Sequence, residues 1–340
     1  MNQLTTPFAI TSLPLSVYND TTDQTPKVGF VTFTHLKTTE RFENLIFPSI
    51  DLWIPDNEVY YVVLANQWKQ KYFQNLCQSY PNYCTRIHPI FVDCPEGQWL
   101  ESPCCKQEKG MMYMIDQGYD WISYHDDDMY ILSEGLRRHL SAFDSKEPLI
   151  ATAQGLRGPA AKRPPNYLGQ FGYLRQQSPY NCKTELNFTF PWGQPVVYSK
   201  AALRLVADGF RTNGLMAQCN EYNVTHDVGN AIFHWMYAPI LKVIPIRINM
   251  RPDTIGSESF GSHGIHKALP QNPNTIVTMK DVHEMFAKVK FRPRAYTRNK
   301  FIVSGFLETE TYQRYGSPTT WGNVWHTMPV KDCLGDGRLG

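Results

Sequence analysis

The chain has 340 residues, 42% hydrophobic and 13% aromatic, enough to bury a large core as one α/β domain or two tightly joined ones. Lys and Arg number 33 against 31 Asp and Glu, a balance that gives no field for nucleic acid or an acidic membrane surface. No apolar run reaches the roughly 18 residues needed to span a bilayer.

Residues 1–26 carry no basic residue before Lys27 and hold Pro7, Pro14 and many Thr, so they read as an irregular arm rather than a targeting helix. As written, the chain is expected to be soluble and cytoplasmic, with a Golgi lumen as the alternative if an N-terminal anchor has been removed. The eight cysteines allow disulfides without requiring them, and none has zinc-finger spacing. Sequons at Asn19, Asn187 and Asn223 matter only in a secretory lumen.

Lys27 to His35 is β-rich and apolar, which suits a buried first strand, and the polar turn Lys37-Thr38-Thr39 follows it. Phe42, Leu45, Ile46, Ile50 and Trp53 have helical spacing, with a break expected at Pro48. Glu58 to Asn66 reads as a second strand, Trp68 to Cys77 as a helix and Ile87 to Asp93 as a third strand. Lys106 to Gly118 reads as a helix whose Met111, Met112, Met114 and Ile115 pack inward.

Trp121 to Ile131 (WISYHDDDMYI) is a short apolar strand that runs into three adjacent acids, Asp126, Asp127 and Asp128. Alone, such a triplet is more often an acidic turn capping a helix. Three neighbouring carboxylates repel one another, however, and a divalent cation removes that cost by taking their oxygens as ligands. In a D-x-D the first and third acids reach one ion while the middle one turns aside. Strand and helix in repeated alternation argue for an α/β fold with a mostly parallel sheet, whose ligands bind beyond the carboxyl ends of the strands.

Glu134 to Phe143 reads as a further helix. Gln154 to Cys182, rich in Gly, Pro, Arg, Gln and Tyr, reads as a binding loop on the acceptor side. Val196 to Tyr198 resumes a strand, Ser199 caps a helix from Lys200 to Ala207, Asp227 to Tyr237 is a helix, and Leu241 to Ile248 is a strand. The organisation expected is an arm (1–26), a nucleotide-sugar-binding half ending in the acidic motif (27–135), an acceptor-binding and catalytic half (136–288) and a wrapping C-terminal tail (289–340).

Several stretches, in order, resemble one family. They are His35-Leu36-Lys37-Thr38-Thr39 with Arg41-Phe42 and Trp53; Cys104-Cys105-Lys106; Trp121 through Asp126-Asp127-Asp128 with Tyr130; Ser199 to Leu203; Thr225-His226-Asp227-Val228; and Phe260-Gly261-Ser262-His263. Over about residues 27 to 267 the chain resembles the fringe-like transferases of glycosyltransferase family 31, which are inverting and metal-dependent. The resemblance implies a GT-A fold, Rossmann-like and in one large domain. It also implies Mn²⁺ (Mg²⁺ possible) held by Asp126, Asp128 and His263, with His266 a nearby rival, and a UDP-sugar donor. Donor contacts then fall on Thr38, Thr39, Arg41, Asp126, Asp127, Trp192 and Gly193. The acceptor would be a hydroxyl of a glycan or glycoprotein.

Asp227 is the residue expected to act as general base, taking the acceptor proton during direct displacement. It would also serve as a helix N-cap. The family often has an acid where this chain has His226, which leaves either member of the His226-Asp227 neighbourhood open as the proton acceptor. Where the family carries a glycine-rich loop, Pro191-Trp192-Gly193-Gln194-Pro195 stands here and would give a stiffer wall to the donor sugar. Trp192 can stack on a sugar face, although filling core is the commoner role of tryptophan. A retaining transferase of the same fold and a non-catalytic sugar-binding relative are the alternatives. No G-x-S-x-G or H-E-x-x-H motif supports a hydrolase, and no G-x-G-x-x-G follows the first strand.

Overall fold

The structure is a computed structural model and describes residues 25–34, 39–65, 69–96, 101–155, 190–212, 214–222, 242–249, 259–265 and 272–289, with 226, 230, 255, 268–269 and 303–304. Most of the segment expected to form an acceptor-side loop (154–182), the bulk of the N-terminal arm and most of the C-terminal tail lie outside these residues.

The first strands β1 (Val28–Phe33), β2 (Tyr60–Ala65), β3 (Ile87–Val92) and β4 (Trp121–Asp126) are parallel neighbours in the order β3-β2-β1-β4. The same sheet continues through β5 (Met129–Ile131), β6 (Leu149–Gly155), β7 (Phe190–Ser199), β8 (Lys242–Asn249) and β9 (Ser259–His263), in the order β4-β7-β6-β8-β9-β5. β7 runs antiparallel to both its neighbours, and β5 is antiparallel to β9. β10 (Ala268–Leu269) and β11 (Asn272–Ile276) form a separate antiparallel pair, and β12 (Val303–Ser304) adds to β8. The mostly parallel α/β sheet expected from the strand-helix alternation is therefore present, and it joins both halves of the chain.

Both faces of the sheet are covered, which explains why its strands read as near-continuous apolar runs. Val28 and Phe30 of β1 face one core with Tyr60, Val62 and Leu64 of β2, while Val31, Tyr61 and Val63 face the other. The first core is closed by α1 (Phe47–Leu52), α2 (Lys69–Ser79, followed by the short α3, Pro81–Cys84) and, farther along the chain, α5 (Ser133–Leu140). The second is closed by α4 (Glu101–Met114), α6 (Lys200–Thr212) and α7 (Leu215–Tyr222). A final helix, α8 (Met279–Lys288), returns to the first face. A fully buried side chain such as Phe30 contributes about 1.5–3 kcal/mol.

The break expected at Pro48 takes the form of a change in winding. Residues Phe42–Ile46 form a π-helical turn, and Pro48 sits in the first turn of α1, where its missing N–H leaves little unsatisfied. Helix α4 begins at Glu101 rather than Lys106, ahead of the paired cysteines. The Ser199 hydroxyl accepts from the Ala202 N–H at 3.0 Å and so caps α6, which extends to Thr212. Strand β9 and helix α8 are additional to the elements expected from the sequence. Helix α8 buries Met279, Val282 and Phe286 at helical spacing and is started by a capping box, in which Thr278 and Asp281 exchange side-chain and backbone hydrogen bonds.

Among the described residues there are three disulfides: Cys77–Cys84 and Cys94–Cys105 within the first half, and Cys104–Cys219, which joins it to the second. The adjacent Cys104 and Cys105 thus tie the start of α4 in two directions, to α7 and to the segment after β3.

Candidate metal and donor site

The site forms where three strand ends meet. Phe33 and Asp126 are register partners at the carboxyl ends of β1 and β4. Asp127 and Asp128 make the turn that leaves β4, and β5 then pairs with β9 so that Met129 lies opposite His263. The Asp128 carbonyl accepts from the Ile265 N–H at 3.1 Å, which fastens the turn to the far end of β9. Gly261 permits this contact: a Cβ there would stand 2.5 Å from the Tyr130 carbonyl oxygen, too close for any other residue without a backbone shift.

This pairing unites acids and an imidazole separated by more than a hundred residues. His263 Nε2 lies 3.0 Å from Asp128 Oδ1 and 3.3 Å from Asp126 Oδ2. One ligand atom from each of Asp126, Asp128 and His263 lies within 4.8 Å of the others. The Asp128 side chain is 8% exposed, while Asp126 and His263 are 18% and 16% exposed, so the group is sunk but reachable. On the other side of Asp126, His226 Nε2 lies 3.1 Å from Oδ1.

Asp127 is held elsewhere. Arg41 donates to it from Nε at 2.6 Å and from Nη2, and the Thr34 hydroxyl donates to its Oδ2. Such a forked guanidinium–carboxylate contact is among the stronger and more directional of ion pairs. Behind the strand, the His125 ring is fully buried and stacked on Tyr60, with Trp53 edge-on at 5.4 Å. Its Nδ1 meets the Ser123 carbonyl at 3.2 Å and its Nε2 meets the Tyr60 hydroxyl at 3.0 Å. Burial pushes its pKa down to about 3, so it is a neutral prop.

The electrostatics favour a cation at the acid end. Burial lowers the His263 pKa, but the charge of Asp128 and hydrogen bonds to Asp126 and Asp128 outweigh it and raise it to about 10. Burial likewise pushes Asp126 up, and His226 and His263 overcome it, holding that carboxyl well below the usual range. The two carboxylates thus draw positive charge onto the imidazole between them. A divalent ion satisfies the same field, with two carboxylate oxygens and an imidazole nitrogen as its donors. These residues fit such an ion.

Of the residues singled out from the sequence, Asp126, Asp128 and His263 are brought together. Arg41 and Asp127 lie beside them, paired with each other. Thr39 is exposed at the start of the π turn, where its carbonyl accepts from Glu43. Trp192 and Gly193 belong to β7, but the Trp192 side chain lies outside the described residues, as do Thr38, Asp227 and His266. Sequence reasoning missed the grip of Arg41 and Thr34 on Asp127 and the contact of His226 with Asp126. Only the oddity of an imidazole ahead of Asp227 pointed toward the second.

No family model matches the chain, and no curated protein matches it. Among solved structures, a complex of the galactosyltransferase LgtC with donor and acceptor sugar analogues is similar at a TM-score of 0.46 and 13% identity, over 78% of this chain and 98% of that one. The bifunctional glycosyltransferase WbbM is similar at 0.40 and 11% identity, over 80% of this chain, which spans about half of WbbM (51%). Mouse xyloside xylosyltransferase 1 follows at 0.37 and 11%, over 70% of this chain and 97% of that one. Likeness at this level assigns neither family nor activity. No described helix is long and apolar enough to cross a membrane.

Proposed function

We propose that the protein is a GT-A type glycosyltransferase that moves a sugar from a UDP-sugar to a hydroxyl of a glycan or glycoprotein with the help of a divalent metal, Mn²⁺ before Mg²⁺. The observation that carries this reading is the convergence of Asp126, Asp128 and His263 at the carboxyl ends of parallel strands. That is where open α/β sheets bind their ligands. The fringe-like order of motifs supports a UDP-sugar, carrying a hexose or N-acetylhexosamine, as the class of donor, and an inverting course.

A bound metal would neutralise the diphosphate and make it a better leaving group. Asp126 and Asp128 would hold it through one oxygen each, and His263 through Nε2. The ion pair of Arg41 with Asp127 braces the turn from the side and leaves the outer acids to the ion. Asp227, covalently next to a residue in contact with Asp126, is the proposed base that takes the acceptor proton. Trp192 and Gly193 are proposed to line the donor sugar, with Thr38 and Thr39 on the nucleotide.

The three disulfides support an oxidising compartment over the reducing cytosol, and so a lumenal site of action. The deciding experiment is a calorimetric screen of UDP-sugars with Mn²⁺, followed by NMR of the product anomer. One donor should bind more tightly than UDP, hydrolyse slowly without acceptor and yield inverted product. Binding of no nucleotide in the presence of Mn²⁺ would sink the transferase reading. Retained configuration would remove Asp227 from its role.

A further inference from the structure

We propose that His226 is a positioning residue for the metal group, a conclusion that rests on the metal reading above. Asp126 is shared between two imidazoles. Its Oδ1 meets His226 Nε2 at 3.1 Å, while its Oδ2 faces His263 at 3.3 Å. The His226 ring is itself set edge-on against Phe33 at 5.4 Å and 77°, and Phe33 is the register partner of Asp126. With the proton on Nε2, His226 donates to Oδ1, the oxygen turned away from His263, and so leaves Oδ2 for the ion and fixes the carboxylate torsion.

The residue type matters. A carboxylate here would set a fourth negative charge beside Asp126, Asp127 and Asp128 and repel the one it was meant to orient. An N–H donor on a rigid ring holds Asp126 by the oxygen turned away from His263. Partners of this kind typically change metal affinity about 10–100-fold when removed.

Two substitutions separate orientation from packing. His226→Phe keeps a ring against Phe33 and deletes the N–H; His226→Gln keeps a donor and deletes the ring. Mn²⁺ affinity is measured by electron paramagnetic resonance of the free ion, with no substrate, for the intact chain, both variants and Asp128→Ala, and folding is checked by circular dichroism. The expected result is a roughly 10–100-fold weakening in His226→Phe, with most of the affinity kept in His226→Gln. The opposite order would show that the ring matters only as packing and would overturn the inference. A loss in both variants as deep as that of Asp128→Ala would make His226 a direct ligand, which also overturns it. If the intact chain bound no Mn²⁺, the metal reading and this inference would fall together. Tight binding abolished by Asp128→Ala but untouched by either His226 change would leave the metal reading standing and remove His226 alone.

Discussion

Arg41 grips both carboxylate oxygens of Asp127, so the middle acid of the triplet is neutralised by the protein itself. The three adjacent acids are thus held differently: Asp127 is paired with Arg41 and Thr34, while Asp126 and Asp128 face His263. Asp127 is 5% exposed and Arg41 31%, so the pair is closed on one side and open on the other. Arg41→Ala should therefore destabilise the fold by roughly 3 kcal/mol, the low end for breaking a buried pair, because the acid keeps its burial and loses its partner. Denaturant midpoints at neutral pH measure this. A change below about 0.5 kcal/mol would mean that the pair behaves like an exposed surface contact.

Removal of the outer ligands should act on binding more than on folding. Asp128→Ala and His263→Ala are each expected to weaken Mn²⁺ by more than the roughly 100-fold upper range for supporting partners. Chelation of the intact protein should abolish nucleotide binding, and added Mn²⁺ should restore it. Isothermal calorimetry with UDP provides the readout, and metal-independent UDP affinity would contradict the assignment.

Acid should loosen the contact between α5 and β9. His139 packs on Phe260 at 4.9 Å and Phe143 at 5.5 Å, and burial lowers its pKa to about 4. The folded value lies below the unfolded one, so between about pH 6.5 and 4 the unfolded chain binds the proton and the folded one does not. Stability is full above about pH 6.5 and falls as pH drops through that window, by about 1–2 kcal/mol at pH 5 after allowance for partial exposure. His139→Leu should flatten this part of the profile. An unchanged pH slope in that variant would place the titration elsewhere.

The disulfides should differ in worth according to the chain they close. Cys104–Cys219 spans 115 residues and Cys77–Cys84 only 7. Loop entropy predicts a loss of about 4–5 kcal/mol when the first is replaced by two serines, against roughly 2–3 kcal/mol for the second. Urea midpoints of the two double variants test the ratio. Equal losses would indicate residual structure in the unfolded chain.

Gly261→Ala should disturb the site from outside it. The added Cβ would meet backbone of β5, which side-chain movement cannot relieve, so β9 must shift and carry His263 with it. The expected outcome is weaker Mn²⁺ binding together with a lowered melting temperature. Wild-type metal affinity in this variant would show that the pairing tolerates the shift.

The sequence by itself determined the alternation of strand and helix, because Val28 to Phe33, Tyr60 to Ala65 and Trp121 to Asp126 are short apolar runs between amphipathic stretches. Acids at a strand end also marked Asp126 and Asp128, whereas His263, an ordinary polar-loop histidine by local pattern, was singled out only by the family resemblance. Their meeting was decided by pairing of β5 with β9, a contact between residues more than 130 positions apart that no local pattern encodes. The same holds for the antiparallel β7, for the choice of Cys219 as the partner of Cys104, and for the two hands that hold Asp126 and Asp127, His226 and Arg41. Local propensity acts over a few residues along the chain. Partner choice depends on which surfaces the folded core brings within hydrogen-bond reach, and that is settled only when the chain closes on itself.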